Sequence, residues 1–342
     1  MPPMILTLPN GEPIANYSFD DEAMHAPGEE QNWQESVAMW WFDVDTRMGG
    51  FMRIGHEPKM DGGNMTLWSF LQTPDWLYTR NEQFARAEGD VGTAALRAGG
   101  IGHYRYDGGA TIWSVKDGDT AYELRLTPLH QPIGLWPAIS ADYARNIGGR
   151  HFEVADRLEG TISIKGATCR VKGYAYRDHS WGPRNWFNLK VHRWANGLAG
   201  DNFGFGFSNY MVDQPGVNRR GFIRLGSVVH YTREVDILPL MEADGTTHRG
   251  GVIHATLENG AVYRFDLVPF GLGNLGIKRD NCCYDSPCSF SFDGRRGIAM
   301  LEVSENARRG TASVDTLIGA PLGNGIFPAR DLRAPYWLTK PV

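Results

Sequence analysis

The stretch GTISIKGATCRVKGYAY, Gly160 to Tyr176, consists of two runs of alternating side chains joined by Lys165-Gly166, and units of this kind recur along the chain. Ile112 and Trp113 lead through Lys116-Asp117-Gly118-Asp119 into Tyr122, Leu124 and Leu126 at a period of two. GVIHATLENGAVYRFDLVPF turns at Asn259-Gly260, and GFIRLGSVVHYTREVDIL is a further such unit. A period of two sends successive side chains to opposite faces, and a short glycine-bearing turn lets the chain double back, so each unit reads as a β-hairpin. With 42 Gly, 19 Pro and 12% aromatic residues, the composition also suits many turns. The best helical candidates are a short segment in TRNEQFARAEG, from Thr79, and a piece of ISADYARNIG, from Ile139. The expectation is an all-β chain of antiparallel barrels or sandwiches, and 342 residues accommodate two.

A loose internal echo supports duplication. NWQESVAMWWFDVDTRMGGFMRIG sets a Trp-rich strand before a turn and a Gly/Phe strand, and NWFNLKVHRWANGLAGDNFGFGFSNY does the same later. Two like domains are expected, 1–172 and 173–342, with the junction near Gly173 to Trp186.

Several function classes fall away. Lys and Arg total 34 against 39 Asp and Glu, a net charge of -5 with no long basic run, so a nucleic-acid partner is not expected. Neither a signal-like start nor a run of about eighteen apolar residues occurs, which argues against membrane insertion and for a cytoplasmic protein. The sequons at Asn16 and Asn64 mean little without a secretion signal. Gly271 to Gly276 fits GxGxxG, but IKRDNCCYDSPC follows where a phosphate-binding helix would have to begin. No G-x-S-x-G, H-E-x-x-H or G-K-[ST] is present, and no two His are spaced for a shared metal, so no metal is expected. Cys169, Cys282, Cys283 and Cys288 read as small side chains in a loop or edge strand rather than as a disulfide or metal set.

The densest cluster of chemistry-bearing side chains is GYAYRDHSWGPRNW, Gly173 to Trp186. If this strand stays extended, Tyr174, Tyr176, Asp178 and Ser180 share one face, while Ala175, Arg177, His179 and Trp181 share the other. A carboxyl beside tyrosines in apolar surroundings is pushed toward its neutral form and becomes a proton donor near neutral pH, and Arg177 or Arg184 would oppose that. The alternative is that Asp178 caps the turn or pairs with Arg184 while the aromatics fill a core. Upstream, His151 and Glu153 share a strand face, and an antiparallel return could bring them level with Asp178. Glu35 and His192 carry the same ambiguity. Trp33, Trp40, Trp41 and Trp194 are either core filling or the wall of a ligand pocket.

RHFEVADRLEGTISIKGATCRVKGYAYRDHSWGPRNW resembles the central signature of the AttH-like, tandem lipocalin-like superfamily that includes the carotenoid 1,2-hydratases, most of all a bacterial branch marked by H-x-E and R-D-[HR]-S-W-G-P-R. WQESVAMWWFD and GIAMLEVSE fit that branch too, so the resemblance covers most of the chain. It implies two consecutive lipocalin-like β-barrel or half-barrel domains, a cavity lined from the first domain and the junction, and cofactor-free proton chemistry on hydrophobic molecules. In the hydratases an aromatic-x-Asp strand is thought to supply the acid, a pattern that falls here on Tyr176 and Asp178, with His151 as the upstream histidine. The hydratases carry something nearer D-H-N-W-G, where this chain has Ser180 and then Pro183-Arg184.

The expectation is a hydratase or dehydratase, isomerase or cyclase acting on a terpenoid, steroid or aromatic molecule. Asp178 would be the acid, assisted by Tyr176, with His151 as base or orienter. Trp181, Arg184, Trp40, Trp41, Glu153, His179 and Trp194 would contact substrate. The other readings are a non-catalytic carrier of lipophilic ligands and a carbohydrate-active sandwich with exposed Trp platforms. The expected partner is a hydrophobic small molecule, with a homodimer left open.

Overall fold

The computed structural model describes residues 5–7, 17–60, 64–85, 95–135, 149–212, 216–270, 273–278, 281–292, 294–306 and 323–329. Among these, strands dominate and no α-helix occurs; a 3-10 turn spans Phe19–Glu22. The strands are β1 (Ile5–Thr7), β2 (Trp33–Asp43), β3 (Met48–Glu57), β4 (Asn64–Gln72), β5 (Trp76–Ala85), β6 (Ala95–Ala98), β7 (Gly102–Tyr106), β8 (Thr111–Asp117), β9 (Thr120–Pro128), β10 (Ile133–Gly134) and β11 (Arg150–Ile164). They continue with β12 (Ala167–Pro183), β13 (Val191–Leu198), β14 (Phe203–Met211), β15 (Asn218–Leu225), β16 (Val228–Met241), β17 (His248–Leu257), β18 (Val262–Pro269), β19 (Asn274–Lys278), β20 (Asn281–Phe292), β21 (Arg295–Asn306) and β22 (Gly325–Pro328).

Two antiparallel bodies result. The first is a twelve-stranded sheet in the order β22-β5-β4-β3-β2-β12-β11-β9-β8-β7-β6, with β10 beside β11, curled into a half-barrel. The second runs β16-β15-β14-β13-β21-β20-β18-β17 and closes on itself through a β16–β17 pairing, an eight-stranded barrel without free edges. No helix of the described residues is long and apolar enough to cross a membrane.

The expected hairpins are present at β8–β9, β11–β12, β15–β16 and β17–β18. The β11–β12 turn needs positive φ at both central residues, 52° at Lys165 and 82° at Gly166, which is the primed turn geometry that matches strand twist. The helix expected from Thr79 is overturned: Thr79 to Ala85 continue β5, paired with β4 along its length and with β22 at its start. The other expected helix, 139–148, lies outside the described residues, as does Asn16. The expected 172/173 boundary falls inside β12, which pairs with β11 as far as Trp181 and with β2 as far as Pro183; the change of sheet comes before Val191. Cys282, Cys283 and Cys288 sit not in a loop or edge strand but on β20, whose neighbours are β21 on one side and β18 and β19 on the other.

Three cores follow from the alternation. Val37, Met39, Trp41, Met52, Ile54 and Leu67 fill the hollow of the half-barrel. Phe203, Phe205, Phe207, Phe265 and Phe290 fill the closed barrel with stacked and edge-on rings, 4.7 Å apart for Phe205 and Phe265. A third core joins the two bodies: Trp40, Phe51, Phe70 and Tyr176 of the half-barrel meet Trp194, Tyr210, Phe222 and Tyr231 of the barrel. Both barrel hollows are therefore packed, and the space for a ligand is left between the bodies.

Candidate functional site between the two barrels

Strand register assembles one wall of that space. Directly opposed residues on neighbouring antiparallel strands share a face, and Glu153, Asp178, Ala38, Arg53 and Trp68 stand opposite one another in a row across β11, β12, β2, β3 and β4. One step along, His151, Ser180 and Ser36 form a parallel row. The barrel supplies the facing wall, with Ser208, Trp194 and Glu302 aligned across β14, β13 and β21. The connection from Arg184 to Leu189 closes one end. Together these enclose a cavity of about 70 Å³, room for several waters, lined among others by Arg53, Trp68, His151, Asp178, Arg184, Trp186, His192 and Trp194.

The alternation expected of Gly173 to Trp186 holds. Asp178 and Ser180 line the cavity. Asp178 is 8% exposed, and burial pushes its carboxyl up to about 6, a rise that the charge of Glu153 reinforces and that the His151, Arg184 and Arg53 charges reduce. His151 is pushed the other way, to about 4, chiefly by burial; the Asp178 charge opposes this and Arg184 adds to it. Between about pH 4 and 6 an acid that holds its proton and a base that stays neutral thus line one cavity wall.

Glu153 and Tyr176 share that face of the sheet but lie outside the cavity lining, covered by the barrel. Tyr176 Oη donates to Glu153 Oε2 at 2.8 Å, Trp194 Nε1 reaches from the barrel to Oε1 at 2.7 Å, and His151 Nε2 lies 3.3 Å from Oε1. Burial raises Glu153 to about 8, against the pull of the Trp194 and Tyr176 hydrogen bonds. Since Glu153 titrates above His151, the proton stays on the carboxyl and the imidazole remains neutral. Gly206 makes this contact possible, because a Cβ there would lie 1.9 Å from Glu153 Oε2.

Other expected contacts lie elsewhere. His179 and Trp181 point to the opposite face of β12, where His179 Nε2 meets Glu35 Oε1 at 3.0 Å and Trp181 stacks on His25 at 3.8 Å. Trp40 and Trp41 border a second, smaller space of about 20 Å³ with Asn274 and Asp285, and Trp40 Nε1 donates to Asn196 Oδ1. Trp33 packs edge-on against His56. None of the described tryptophans is exposed, so the platforms a carbohydrate-active surface needs are missing among them.

His25, Glu35 and His179 bring ligand-type atoms within 4.8 Å of one another. Both Glu35 oxygens already accept the His25 backbone N–H, and Oε1 also meets His25 Nδ1 at 2.6 Å. Burial would raise Glu35, but the hydrogen bonds and charges of the two imidazoles outweigh it and hold the carboxyl at about 2. Glu35 is thus held between the two imidazoles, while His179 Nδ1 has no hydrogen-bond partner among the described residues.

Arg53, Trp68, Trp186 and Glu302 escaped the sequence reading. Arg53 is separated from Asp178 only by Ala38, but that adjacency depends on the β2–β3 register, which no local pattern announces. His192 bridges Glu302 Oε1 at 2.9 Å and Ser208 Oγ at 3.0 Å. Asp285 stands opposite Glu302; the shared proton rests on Asp285, which burial drives up, while His192 and Ser304 keep Glu302 ionised against the cost of burial.

A family model described as a domain of unknown function, DUF7064, matches residues 18–307. No curated protein matches the sequence. Among solved structures, an AttH-like protein from Nitrosomonas europaea superimposes with a TM-score of 0.64 at 12% identity over 89% of this chain and 99% of that one. Kievitone hydratase from Nectria haematococca gives 0.61 at 9% identity over 88% and 96%. CghA gives 0.57 at 10% identity over 87% and 97%. At these identities the likeness is one of fold, and it extends across both barrels.

Proposed function

We propose that this chain, which belongs to the DUF7064 family, is an enzyme of the hydro-lyase or isomerase type that moves protons at a carbon–carbon double bond of a largely apolar small molecule. One observation carries the reading: Asp178, with a carboxyl that keeps its proton up to about pH 6, and His151, which stays neutral down to about 4, line the same aromatic cavity. Kievitone hydratase, among the structures of the same fold, is named for a hydration, which agrees with this class.

In the hydration direction Asp178 gives its proton to one alkene carbon, and the π electrons form the new C–H bond. Water adds to the adjacent carbon, and neutral His151 takes the proton that water releases. Dehydration runs these steps backward: protonated His151 gives its proton to the departing hydroxyl, which leaves as water, and the Asp178 carboxylate accepts the C–H proton. Trp68, Trp186 and Trp194 line the same cavity, and aromatic rings beside a developing positive charge stabilise it. Finer assignments, a terpenoid, steroid or aromatic skeleton and independence of any cofactor, are part of the proposal.

The competing reading is a carrier, which needs the apolar space and not the acid. Asp178→Asn discriminates: turnover falls by about 10²–10⁴-fold, the usual worth of a general acid, while ligand affinity changes little. Candidate alkenes and alcohols identified by mass spectrometry of copurifying material are the substrates to assay. Undiminished turnover by the variant removes Asp178 from the chemistry, and a copurifying ligand that is bound but never converted establishes the carrier.

A further inference from the structure

The half-barrel wall of the cavity contains donors that nothing accepts. Arg53 is 6% exposed, and both of its terminal nitrogens, Nη1 and Nη2, lack a hydrogen-bond partner among the described residues. Trp68, opposite Arg53 on β4 and 3% exposed, has an indole N–H in the same condition. Orphaned donors of this kind are costly, and more so on a buried guanidinium that the carboxyl groups of Asp178, Glu57 and Glu302 influence by charge without accepting from Nη1 or Nη2.

The arrangement is built rather than accidental. The guanidinium carbon sits 4.8 Å above the Trp68 ring and 5.9 Å from the Trp186 ring, an aromatic slot that fixes its plane. Gly55, two residues along β3, leaves the room: a Cβ there would be 2.5 Å from Nη1. Ala38 keeps the position between Arg53 and Asp178 small.

Charge agrees with the donor count. The charged side chains lining the cavity are Arg53 and Arg184 against Asp178 and Glu302. With Asp178 holding its proton, as the proposed acid must, the two guanidinium groups of the lining face one carboxylate, Glu302.

We propose that Arg53, with the Trp68 N–H beside it, binds a carboxylate of the substrate, so that the molecule turned over at Asp178 is an unsaturated or hydroxylated monocarboxylic acid rather than a neutral hydrocarbon or alcohol. A carboxylate offers acceptors only, in a plane that matches the guanidinium fork. A phosphate dianion would exceed the single available charge and would meet the Glu302 carboxylate across the space. The inference rests on the acid–base reading for the identity of the substrate, and it also removes a difficulty in that reading, since two guanidinium groups oppose a developing cation unless an anion accompanies it.

The test is binding alone, so it does not depend on turnover. Benzoate, cinnamate and hexanoate are titrated calorimetrically into the full-length protein against benzamide, cinnamamide, hexanamide and inorganic phosphate, and thermal shifts are recorded in parallel. A charged hydrogen-bonded contact worth about 1.5–3 kcal/mol gives the carboxylates roughly a 10- to 100-fold advantage over the amides. Arg53→Met abolishes that preference while keeping or raising the Tm of the ligand-free protein, because it removes a buried charge with orphaned donors. Arg53→Lys, should the first variant fold poorly, keeps the charge but loses the fork and retains a weakened preference. Asp178→Asn keeps the preference, so failure of the acid assignment is told apart from failure of this one. Amides that bind as well as carboxylates, no carboxylate-specific signal in the wild type, phosphate binding tighter than every carboxylate, or a preference undiminished in Arg53→Met would each overturn the inference.

Discussion

At the level of single residues the site is a set of groups held away from their ordinary protonation by burial. For Glu153 the unfolded carboxyl releases its proton near 4.5 and the folded one near 8, so between those values the folded state binds more protons and stability declines as pH rises, levelling off above about 8. Asp178 adds to this decline between 3.8 and about 6. His151 acts in the opposite sense: unfolded it is charged below 6.5, folded only below about 4, so stability is lost as pH falls through that window. Glu153→Gln should therefore flatten the alkaline decline seen in urea unfolding at pH 5, 6.5 and 8, by up to about 1.4 kcal/mol per pH unit. Parallel profiles for variant and wild type would show that Glu153 is ionised in the fold. Asp178 and His151 were legible in the sequence because a period of two and one hairpin suffice to place them on a common face. Arg53 and Trp68 were not, since their adjacency to Asp178 is made by two further strand pairings whose register is set by packing.

Among the strands, the close approach of β14 to β11 deserves a test. Gly206 allows the Glu153 carboxylate to lie against the barrel, and a methyl group there would overlap Oε2. Gly206→Ala should destabilise the protein by about 1–3 kcal/mol through overpacking. Glu153→Asp, which withdraws the carboxylate, should recover part of that loss in the double variant, a coupling that a merely local effect on β14 would not show. Additive effects would mean that the two strands do not press on each other as described. Hairpins were the most legible elements, with Lys165-Gly166 and Asn259-Gly260 at two of their turns. The segment from Thr79 misled because TRNEQFA, polar and only partly buried, carries little alternation; its strand state comes from pairing with β4 and β22, which are distant information.

For the whole molecule, the two barrels share a core, and their contacts cross the junction in both directions: Trp194 to Glu153, Trp40 to Asn196, and Tyr231 Oη to the Gly134 carbonyl at 3.1 Å. Urea unfolding should accordingly appear as one transition, coincident by tryptophan fluorescence and far-UV circular dichroism, and two separated transitions would show that the shared core does not couple the bodies. That there would be two β bodies was readable from length and turn spacing. Where the ligand space lies was only partly so, because alternation cannot say which face of a sheet meets a second barrel and which closes on itself; here the barrel hollow is filled by phenylalanines and the chemistry is left to the seam.

The state of one carboxyl decides the account. Infrared difference spectra between the wild type and Asp178→Asn, taken from pH 4 to 8 in ligand-free protein, isolate the C=O stretch of that side chain. The expected result is a protonated carboxylic acid at pH 5 that disappears with a midpoint near 6. A carboxylate already present at pH 5, titrating at or below the ordinary value of 3.8, would contradict it.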